Sequence, residues 1–374
     1  MVNTFIDILV KKDNETIKIN GITNLNYVVS IKNLVANLYV ELPLKNITYN
    51  TQYISYGDIN IHIGDYVECR MGYYDIERQP SKYFNGYITN FTLSKTDLTL
   101  EMEGYSYQLK KLPRTKFSLN KASVKDIILE STKGYNTLKD GYIEIKYGAY
   151  EAFPIYFDDL TFEGNFILKD PLSPFEVLSM LADELDVYIY TDVDGIYVSK
   201  RVIKETKYYA YPYIMPKNNG KNWNFVIDID IDQYNIDLTK YVIKANSTKS
   251  TISKLKIAYA IAPTPNGLDA PTFVPYTTER DNTIQIEYPS VDEATLKKLV
   301  VNAWEKLDAE KAKQGSFTTF IEQGVNLTDI VYLNLYGVGE KHLVDSVETT
   351  FDISSGLRQK ITLGKKLSSF SNDN

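Results

Sequence analysis

A strand pattern near residue 65 returns near residue 329, and that repetition narrows the architectures open to this chain more than any other feature. In the first occurrence Gly64-Asp65-Tyr66-Val67 leads into a strand. Phe84-Asn85-Gly86-Tyr87-Ile88-Thr89-Asn90-Phe91 follows, and then Leu98-Thr99-Leu100-Glu101-Met102-Glu103-Gly104. In the second, Thr328-Asp329-Ile330-Val331 opens a strand. Val344-Asp345-Ser346-Val347-Glu348-Thr349-Thr350-Phe351 takes the place of the Phe84 segment, and Gln359-Lys360-Ile361-Thr362-Leu363-Gly364 comes last. Thr99, Glu101 and Glu103 alternate with Leu98, Leu100 and Met102, as a strand with one wet face requires. Two such modules point to a mainly β chain with two similar β-barrels. A chain spent on two related barrels is read as a building part rather than a catalyst.

The 374 residues allow two to four domains, at roughly 100–200 residues each. Net charge is −7. Nucleic-acid grip needs a basic stripe to neutralise phosphates, and none is visible. A mildly acidic surface suits a channel through which DNA slides, and equally suits any soluble protein. The 31 tyrosines favour strands and interfaces. Tyr, Asn, Ile and Lys all have AT-rich codons, so base composition competes with a binding role as the reason for them. Cys69 is the single cysteine, so no intrachain disulfide forms, and its strand context predicts a small buried hydrophobe. The opening Met1-Val2-Asn3-Thr4-Phe5-Ile6-Asp7 lacks a secretory pattern, and no apolar run approaches the ~20 residues that span a bilayer. Cytosolic production without a membrane anchor is expected.

Along the chain, Phe5 to Lys111 reads as short strands separated by Asn, Gly and Pro. Asn85-Gly86 sits where a bulge or tight turn is useful. Pro113 closes this unit. Ser123 starts a short helix with Val124, Ile127 and Ile128 on one side, ended by Gly134. Ser173 caps a second helix, with Pro174 in first position and Glu176 closing a capping box. A hairpin follows, Val187-Tyr188-Ile189-Tyr190, a turn over Asp192-Val193-Asp194-Gly195, then Ile196-Tyr197-Val198. Residues 206–223 read as a connection, and 262–276, with Pro263, Pro265, Pro271 and Pro275, as a loop. The longest helix is expected from Ser290 to about Gln314, stopped by Gly315. Ser368 to Asn374 is a polar tail.

No constellation carries chemistry. Asp228-x-Asp230-x-Asp232 resembles the start of a calcium loop, but Gln233 and Thr239 stand where that loop needs Gly and Glu. The same spacing puts three carboxylates on one strand face. Asp192-Val193-Asp194-Gly195 is a hairpin turn. His62 and His342 each stand alone in a β run, without a Cys or acidic partner at ligand spacing. Cys69 lacks an activating His or helix N-terminus. There is no Gly-x-Ser-x-Gly elbow, and Gly337-Val338-Gly339 is not followed by a helix start. Lys110-Lys111 with Arg114 and Lys116 reads as a solvated junction. Catalytic, cofactor and metal residues are therefore expected to be none, and no small-molecule ligand is expected.

The order of elements carries a resemblance. A β unit with Gly-Asp-x-Val and Phe-x-Gly-x-Ile comes first, then the Ser123-Val124-Lys125-Asp126-Ile127-Ile128 helix. Leu168-Lys169-Asp170-x-x-Ser173-Pro174-Phe175-Glu176-Val177-Leu178 precedes a Tyr-rich hairpin ending Gly195-Ile196-Tyr197-Val198. A helix with Ala303 and Leu307 leads to Phe317-Thr318-Thr319-Phe320 and the second β unit. This resembles the baseplate hub, or tail hub, family of phage tails, whose relatives are late control gene D proteins and the N-terminal part of type VI secretion spike proteins.

The resemblance implies a homotrimer in which two barrels per chain make a ring of six. The ring would meet a sixfold tail tube protein on one side and a threefold spike or tip protein on the other, and DNA would pass through without specific binding. It implies a virion component assembled in the host bacterial cytoplasm. By analogy, residues 1–113 form barrel one, 114–205 an α+β side domain, 206–245 with 316–366 a discontinuous barrel two, 246–315 an insertion whose long helix packs on the side domain, and 367–374 a flexible tail. An acidic row of Asp228, Asp230 and Asp232 is expected to line the channel. Thr328 departs from the family pattern, which would often have Gly there, and leaves the second turn open. No spike or lysozyme domain follows, so those functions are expected on other chains. A carbohydrate-binding tail or surface module, and less strongly a tail-associated hydrolase, are the competing readings.

Overall fold

The computed structural model describes residues 4–12, 15–44, 47–49, 53–56, 59–74, 82–157, 164–184, 188–199, 208–212, 226–230, 241–248, 257–261, 272–274, 282–289, 303, 315–320, 325–335 and 338–371. The chain opens with β1 (Thr4–Lys12), β2 (Glu15–Ile19), β3 (Asn24–Ser30) and β4 (Asn37–Pro43). A small three-stranded sheet follows, made of β5 (Ile47–Tyr49), β6 (Tyr53–Tyr56) and β7 (Ile59–His62), before β8 (Tyr66–Tyr73), β9 (Lys82–Leu93) and β10 (Asp97–Glu103). The middle of the chain holds α1 (Ser106–Lys111), β11 (Ser118–Ala122), α2 (Val124–Ser131), β12 (Asn136–Leu138), β13 (Tyr142–Ile145), β14 (Phe153–Phe157), β15 (Gly164–Ile167), α3 (Pro174–Glu184), β16 (Tyr188–Asp192) and β17 (Gly195–Ser199). Then come β18 (Tyr208–Pro212), β19 (Val226–Asp230), β20 (Tyr241–Thr248), β21 (Ile257–Ile261), β22 (Thr272–Val274), β23 (Asn282–Pro289), β24 (Ser316–Thr319), β25 (Ile330–Leu335), β26 (Val338–Asp352) and β27 (Gly356–Ser371).

The mainly β class holds, and one 13-stranded sheet dominates it. Its pairing path runs β19-β24-β27-β26-β3-β4-β10-β9-β8-β1-β2, with β18 and β25 branching from β26. The path contains the same arrangement twice, β3-β4-β10-β9-β8-β1 and β19-β24-β27-β26-β25-β18. The path is open at β19 and β2, so no barrel closes among the described strands.

The two copies match pair by pair. Val67 faces Gly86 in the first, and Val331 faces His342 in the second. Phe91 faces Leu100, and Val347 faces Ile361. A bulge makes the β9–β10 register skip Thr89 between Ile88 and Asn90, and the same bulge makes the β26–β27 register skip Asp345 between Val344 and Ser346. Val40 and Leu25 are matched by Phe317 and Ile229. Val344 thus corresponds to Ile88, four residues further along than the Phe84 beside which the sequence set it. One strand breaks the likeness: β1 runs antiparallel to β8, whereas β18 runs parallel to β25.

The turns that lead into β8 and β25 repeat atom for atom. Asp65 Oδ2 accepts from His62 N at 2.8 Å, and Asp329 Oδ2 accepts from Asn326 N at 2.8 Å. Gly64 N donates to Ile88 O at 2.8 Å, and Thr328 N to Val344 O at 3.0 Å. Ile88 N donates back to Asp65 O at 3.1 Å, and Val344 N to Asp329 O at 2.9 Å. The turn needs a left-handed residue: Gly64 has φ +95° and Thr328 φ +69°. Thr328 therefore builds the same turn as the glycine, at the strain a β-branched residue bears there.

Asn85-Gly86 lies inside β9 rather than at a turn, with a register shift close by, opposite Cys69 and Arg70. A Cβ on Gly86 would lie 2.2 Å from the Glu103 carbonyl oxygen, so the glycine permits a close strand approach. His342 occupies that place in the second copy, and there the β26–β27 ladder shifts register on both sides of it.

A continuous apolar core spans both copies, from Ile8, Leu25, Val40 and Leu100 to Phe317, Val331, Val347 and Ile361. A second core lies under the middle segment, with Val124, Ile127 and Ile128 of α2, Val177, Leu178 and Leu181 of α3, and Ile143, Ile155 and Val198 of the five-stranded sheet β12-β13-β14-β17-β16. The capping box expected at Ser173 forms, the one expected at Ser290 and Glu293 lies outside the described residues, and α2 carries a further one. Ser123 and Asp126 close a capping box, and Ser173 N and Oγ both donate to Glu176 Oε2. β16 bridges the two cores: Tyr188 and Tyr190 face the first, Ile189 the second. Asn85 Nδ2 to Val193 O at 2.9 Å and Thr191 Oγ1 to Leu34 O at 2.5 Å tie the units together.

Four local expectations fail. Residues 368–371, read as part of a polar tail, end β27 and pair with Val338–Lys341 of β26. Residues 106–111 are helical rather than β, a turn too short to show a 3.6-residue stripe. Residues 208–212 are the strand β18, driven by Tyr208, Tyr209 and Tyr211 rather than left as a connection. β22, at residues 272–274 within the expected proline-rich loop, is the edge strand of the sheet β22-β21-β20-β23. Of the long helix expected from Ser290, only Ala303 is among the described residues; it is helical and buried in the second core.

Replacing Gly64 by Ala is expected to cost about 1–2 kcal/mol, because a side chain enters the left-handed region. Thr328→Gly, which removes that strain and a buried hydroxyl without a partner, is expected to be neutral or stabilising. Urea titrations of the two variants, read side by side, check this asymmetry. A second expectation concerns the caps. The Ser173 N–H and hydroxyl hold the Glu176 carboxyl below its ordinary value of 4.5, and the Ser123 hydroxyl does the same for Asp126 below 3.8. Depressed folded-state values mean stability present above those pH values and lost as pH falls through them. Ser123→Ala with Ser173→Ala is expected to lose about 1 kcal/mol per cap at pH 7, and to flatten the acid loss below pH 4.5 in a melting-temperature series.

Candidate functional site

The residues offered for chemistry do not converge. The thiol of Cys69 is fully buried in β8, and burial pushes its pKa far up, which keeps it protonated and inert. His62 is not alone: its Nδ1 lies 2.9 Å from Lys12 Nζ and 3.9 Å from Asp65 Oδ2. His342 is buried in β26, far along the chain from it. Among the described residues no group of three or more His, Cys, Asp or Glu could hold a metal ion. The basic cluster is half committed: Lys110 pairs with Glu103 at 2.8 Å and Arg114 with Glu176 at 3.0 Å, while Lys111 lies over the Tyr107 ring. The buried carboxylate of Glu68 is held by Lys11 and Arg70, a structural network across β1 and β8.

Many tyrosines serve packing. Tyr87 stacks on Tyr107 and meets Tyr150 edge-on, and Tyr190 stacks on Tyr197. Desolvation pushes the phenols of Tyr66, Tyr87 and Tyr197 far above their ordinary value, so they act as neutral hydroxyls. Tyr39 on β4 and Tyr74, just past the end of β8, are openly exposed.

What the geometry does offer is assembly surface. Asp228 and Asp230 lie on β19, the last strand on the sheet's path, opposite Thr318 and Ser316 of β24. Asp232 lies outside the described residues. A pocket of about 740 Å³ opens where the two copies meet, lined by Tyr73, Tyr74, Phe320, Phe351, Ile353 and Arg358 among others. Tyr73 Oη donates to Leu357 O at 2.6 Å, and the Arg358 guanidinium sits 4.5 Å over the Phe320 ring. Tyr74 and Ile353 stand 68% and 70% exposed at its rim. Sequence reasoning missed this pocket, because its walls come from strands at opposite ends of the chain and share no local motif.

No family model matches the sequence, and no curated protein matches it. The fold does match solved structures along nearly its whole length. A tail protein from Neisseria meningitidis MC58 superposes with a TM-score of 0.58 at 11% identity, covering 97% of each chain. The 43 kDa tail protein of prophage MuSo2 from Shewanella oneidensis gives 0.55 at 15% identity, over 96% of this chain and 97% of that one. The chain has the fold of these tail proteins. An Escherichia coli component of the type VI secretion system, itself described as structurally similar to the T4 bacteriophage tail proteins gp27 and gp5, shares the fold with a TM-score of 0.50 at 7% identity, over 95% of this chain and 76% of that one. The tail-protein fold is thus the same fold that the tail-hub resemblance implied, reached through strand order rather than residue identity. Among the described residues no helix is long and apolar enough to cross a membrane.

Tyr73→Phe is expected to lower stability by about 1 kcal/mol, because it removes one buried hydrogen bond while Arg358 Nη1, 2.9 Å away, still donates to the Leu357 carbonyl. Chemical denaturation of the variant against the parent measures the loss.

Proposed function

We propose that this chain is a structural hub of a phage or phage-like tail, with no catalytic role of its own. Three copies form a ring of six similar lobes, which meets a sixfold tail tube on one side and a threefold spike or tip on the other, in a virion assembled in the host cytoplasm. One observation carries the reading: a fold shared over the whole chain with tail proteins is itself built from two register-matched copies. A sixfold surface and a threefold surface cannot match residue for residue, and a duplicated unit in a trimer supplies six similar faces on one side and three distinct ones on the other.

In this reading residues 1–113 and 206–245 with 316–366 make the ring, while 114–205 and 246–315 form its side domain. DNA passes through the centre without specific binding. Three copies at −7 each carry −21, which disfavours adhesion of phosphates. Asp228, Asp230 and Asp232 line the channel. Their support is the register: Asp228 and Asp230 correspond to Asn24 and Asn26, and those two alternate with the buried Leu25 and Tyr27, on the face turned away from the core.

The purified chain is expected to show a solution mass three times its 42.8 kDa, and averaged images with a central hole and six lobes. A monomer at every concentration defeats the reading. Saturable glycan affinity would favour the carbohydrate module, and cell-wall hydrolysis the hydrolase.

A further inference from the structure

We infer that the pocket between the two copies receives the carboxyl terminus of a partner polypeptide, whose apolar last residue fills it and whose carboxylate meets Arg358. The walls belong to one chain, so the site stands or falls apart from the ring. The two copies show how it is built. In the first, the β9–β10 hairpin ends at the pair Leu93↔Leu98, where Ser94 N donates to Asp97 O at 2.9 Å. In the second, Thr349↔Gln359 is the matching pair, and the hairpin runs on through Thr350↔Arg358, Phe351↔Leu357 and Asp352↔Gly356. The antiparallel seam of β26 with β3, which reaches Asp352↔Asn24, accounts for the β26 side of this extension. It does not account for the β27 side. β24 follows β27 only as far as Thr319↔Gln359, so Leu357 and Arg358 lie past its end, and the Phe320 ring stands there instead. The extension thus carries Phe351, Ile353 and Arg358 into a pocket whose other aromatic walls are Tyr73, Tyr74 and Phe320.

Charge, shape and exposure select the occupant. Arg358 is a half-buried cation among apolar walls, and among the described residues no carboxylate pairs with it. Its guanidinium lies 4.5 Å over the Phe320 ring, and Nη1 donates to Leu357 O at 2.9 Å. The hairpin's own carboxylate, Asp352, is committed to its turn, where it accepts from Ser354 N and Ser355 N. A guanidinium held this way presents its remaining N–H groups as a fork that fits a carboxylate. A bare inorganic anion would meet the fork and leave the aromatic walls uncovered, so the anion must carry an apolar group. The volume of about 740 Å³ lies in the range of ligand sites, roughly 300–1,000 Å³. Tyr74 and Ile353 stand exposed at the rim. A small acid would leave both in water, whereas a chain entering end-first lays its preceding residues across them.

The test immobilises the full chain and offers it N-terminally labelled hexapeptides, randomised in the last four positions, either with a free carboxylate or as the carboxamide. The acid pool is expected to be retained, enriched in Phe, Leu or Ile at the last place, and the amide pool to pass through. Arg358→Gln is expected to weaken the best peptide roughly tenfold or more. Ile353→Ser, at the exposed tip, is expected to weaken it as well while leaving the unfolding midpoint in place. N-acetyl-phenylalanine, which reaches the fork but not the rim, is expected to bind more weakly and to be indifferent to Ile353→Ser. Equal retention of the two pools, or a best peptide that binds Arg358→Gln as tightly as the parent, overturns the carboxylate assignment. Retention of neither pool overturns the site. N-acetyl-phenylalanine binding as tightly as the best peptide overturns the chain end as occupant. Each of these failures leaves the ring reading standing, because that reading is decided by the mass of the assembly.

Discussion

The antiparallel seam between β3 and β26 is the contact on which the rest of the molecule depends. It joins residues 24–30 to residues 346–352 and merges two copies of one strand arrangement into a single sheet over one apolar core. Without it each copy would present an open strand edge at β3 or β26 and leave its share of the common core uncovered. The middle segment docks on this frame through β16, whose alternating side chains serve both cores. The seam also marks where the copies differ, since among the described residues β3 is paired on both sides and β19 with β24 alone.

The copies have diverged in ways that follow from their surroundings. Leu42, Leu93 and Leu98 of the first correspond to Thr319, Thr349 and Gln359 of the second. The second copy thus carries a polar layer in its interior. The Thr349 hydroxyl and both amide atoms of Gln359 are buried with no hydrogen-bond partner, each at a cost of about 1–3 kcal/mol. His342 in place of Gly86 disturbs the ladder locally, and Thr328 in place of Gly64 strains the turn. Every one of these differences burdens the second copy, which makes it the softer half of the sheet.

Much of this was legible in the residues. The Asp-led turns at Asp65 and Asp329, the alternation along β10, the Ser173–Glu176 capping box and the β16–β17 hairpin follow from local chemistry that a sequence displays directly. The duplication was visible at Leu98–Met102 against Gln359–Leu363, where the alternation is intact and the structure keeps the same register. It slipped by four residues at Phe84 against Val344, because Gly86 and His342 obscure the pattern there. α1 and β22 escaped because six and three residues are too few to show a period. The pocket and the seam escaped for another reason: they are made by residues hundreds of positions apart, and no local signal connects Tyr73 to Arg358 or Tyr27 to Thr349.

The span of the seam also bears on how the chain is made. β3, at residues 24–30, leaves the ribosome well before its partner segment, at residues 346–352. Until that segment follows, the strand has β4 on one side and waits for its partner on the other. A nascent chain in that state can pair with another nascent chain as readily as with its own unfinished end. Translation speed and neighbouring polysomes thereby become factors in yield, and a chaperone that shields the first copy until β26 emerges would have a definite strand to protect.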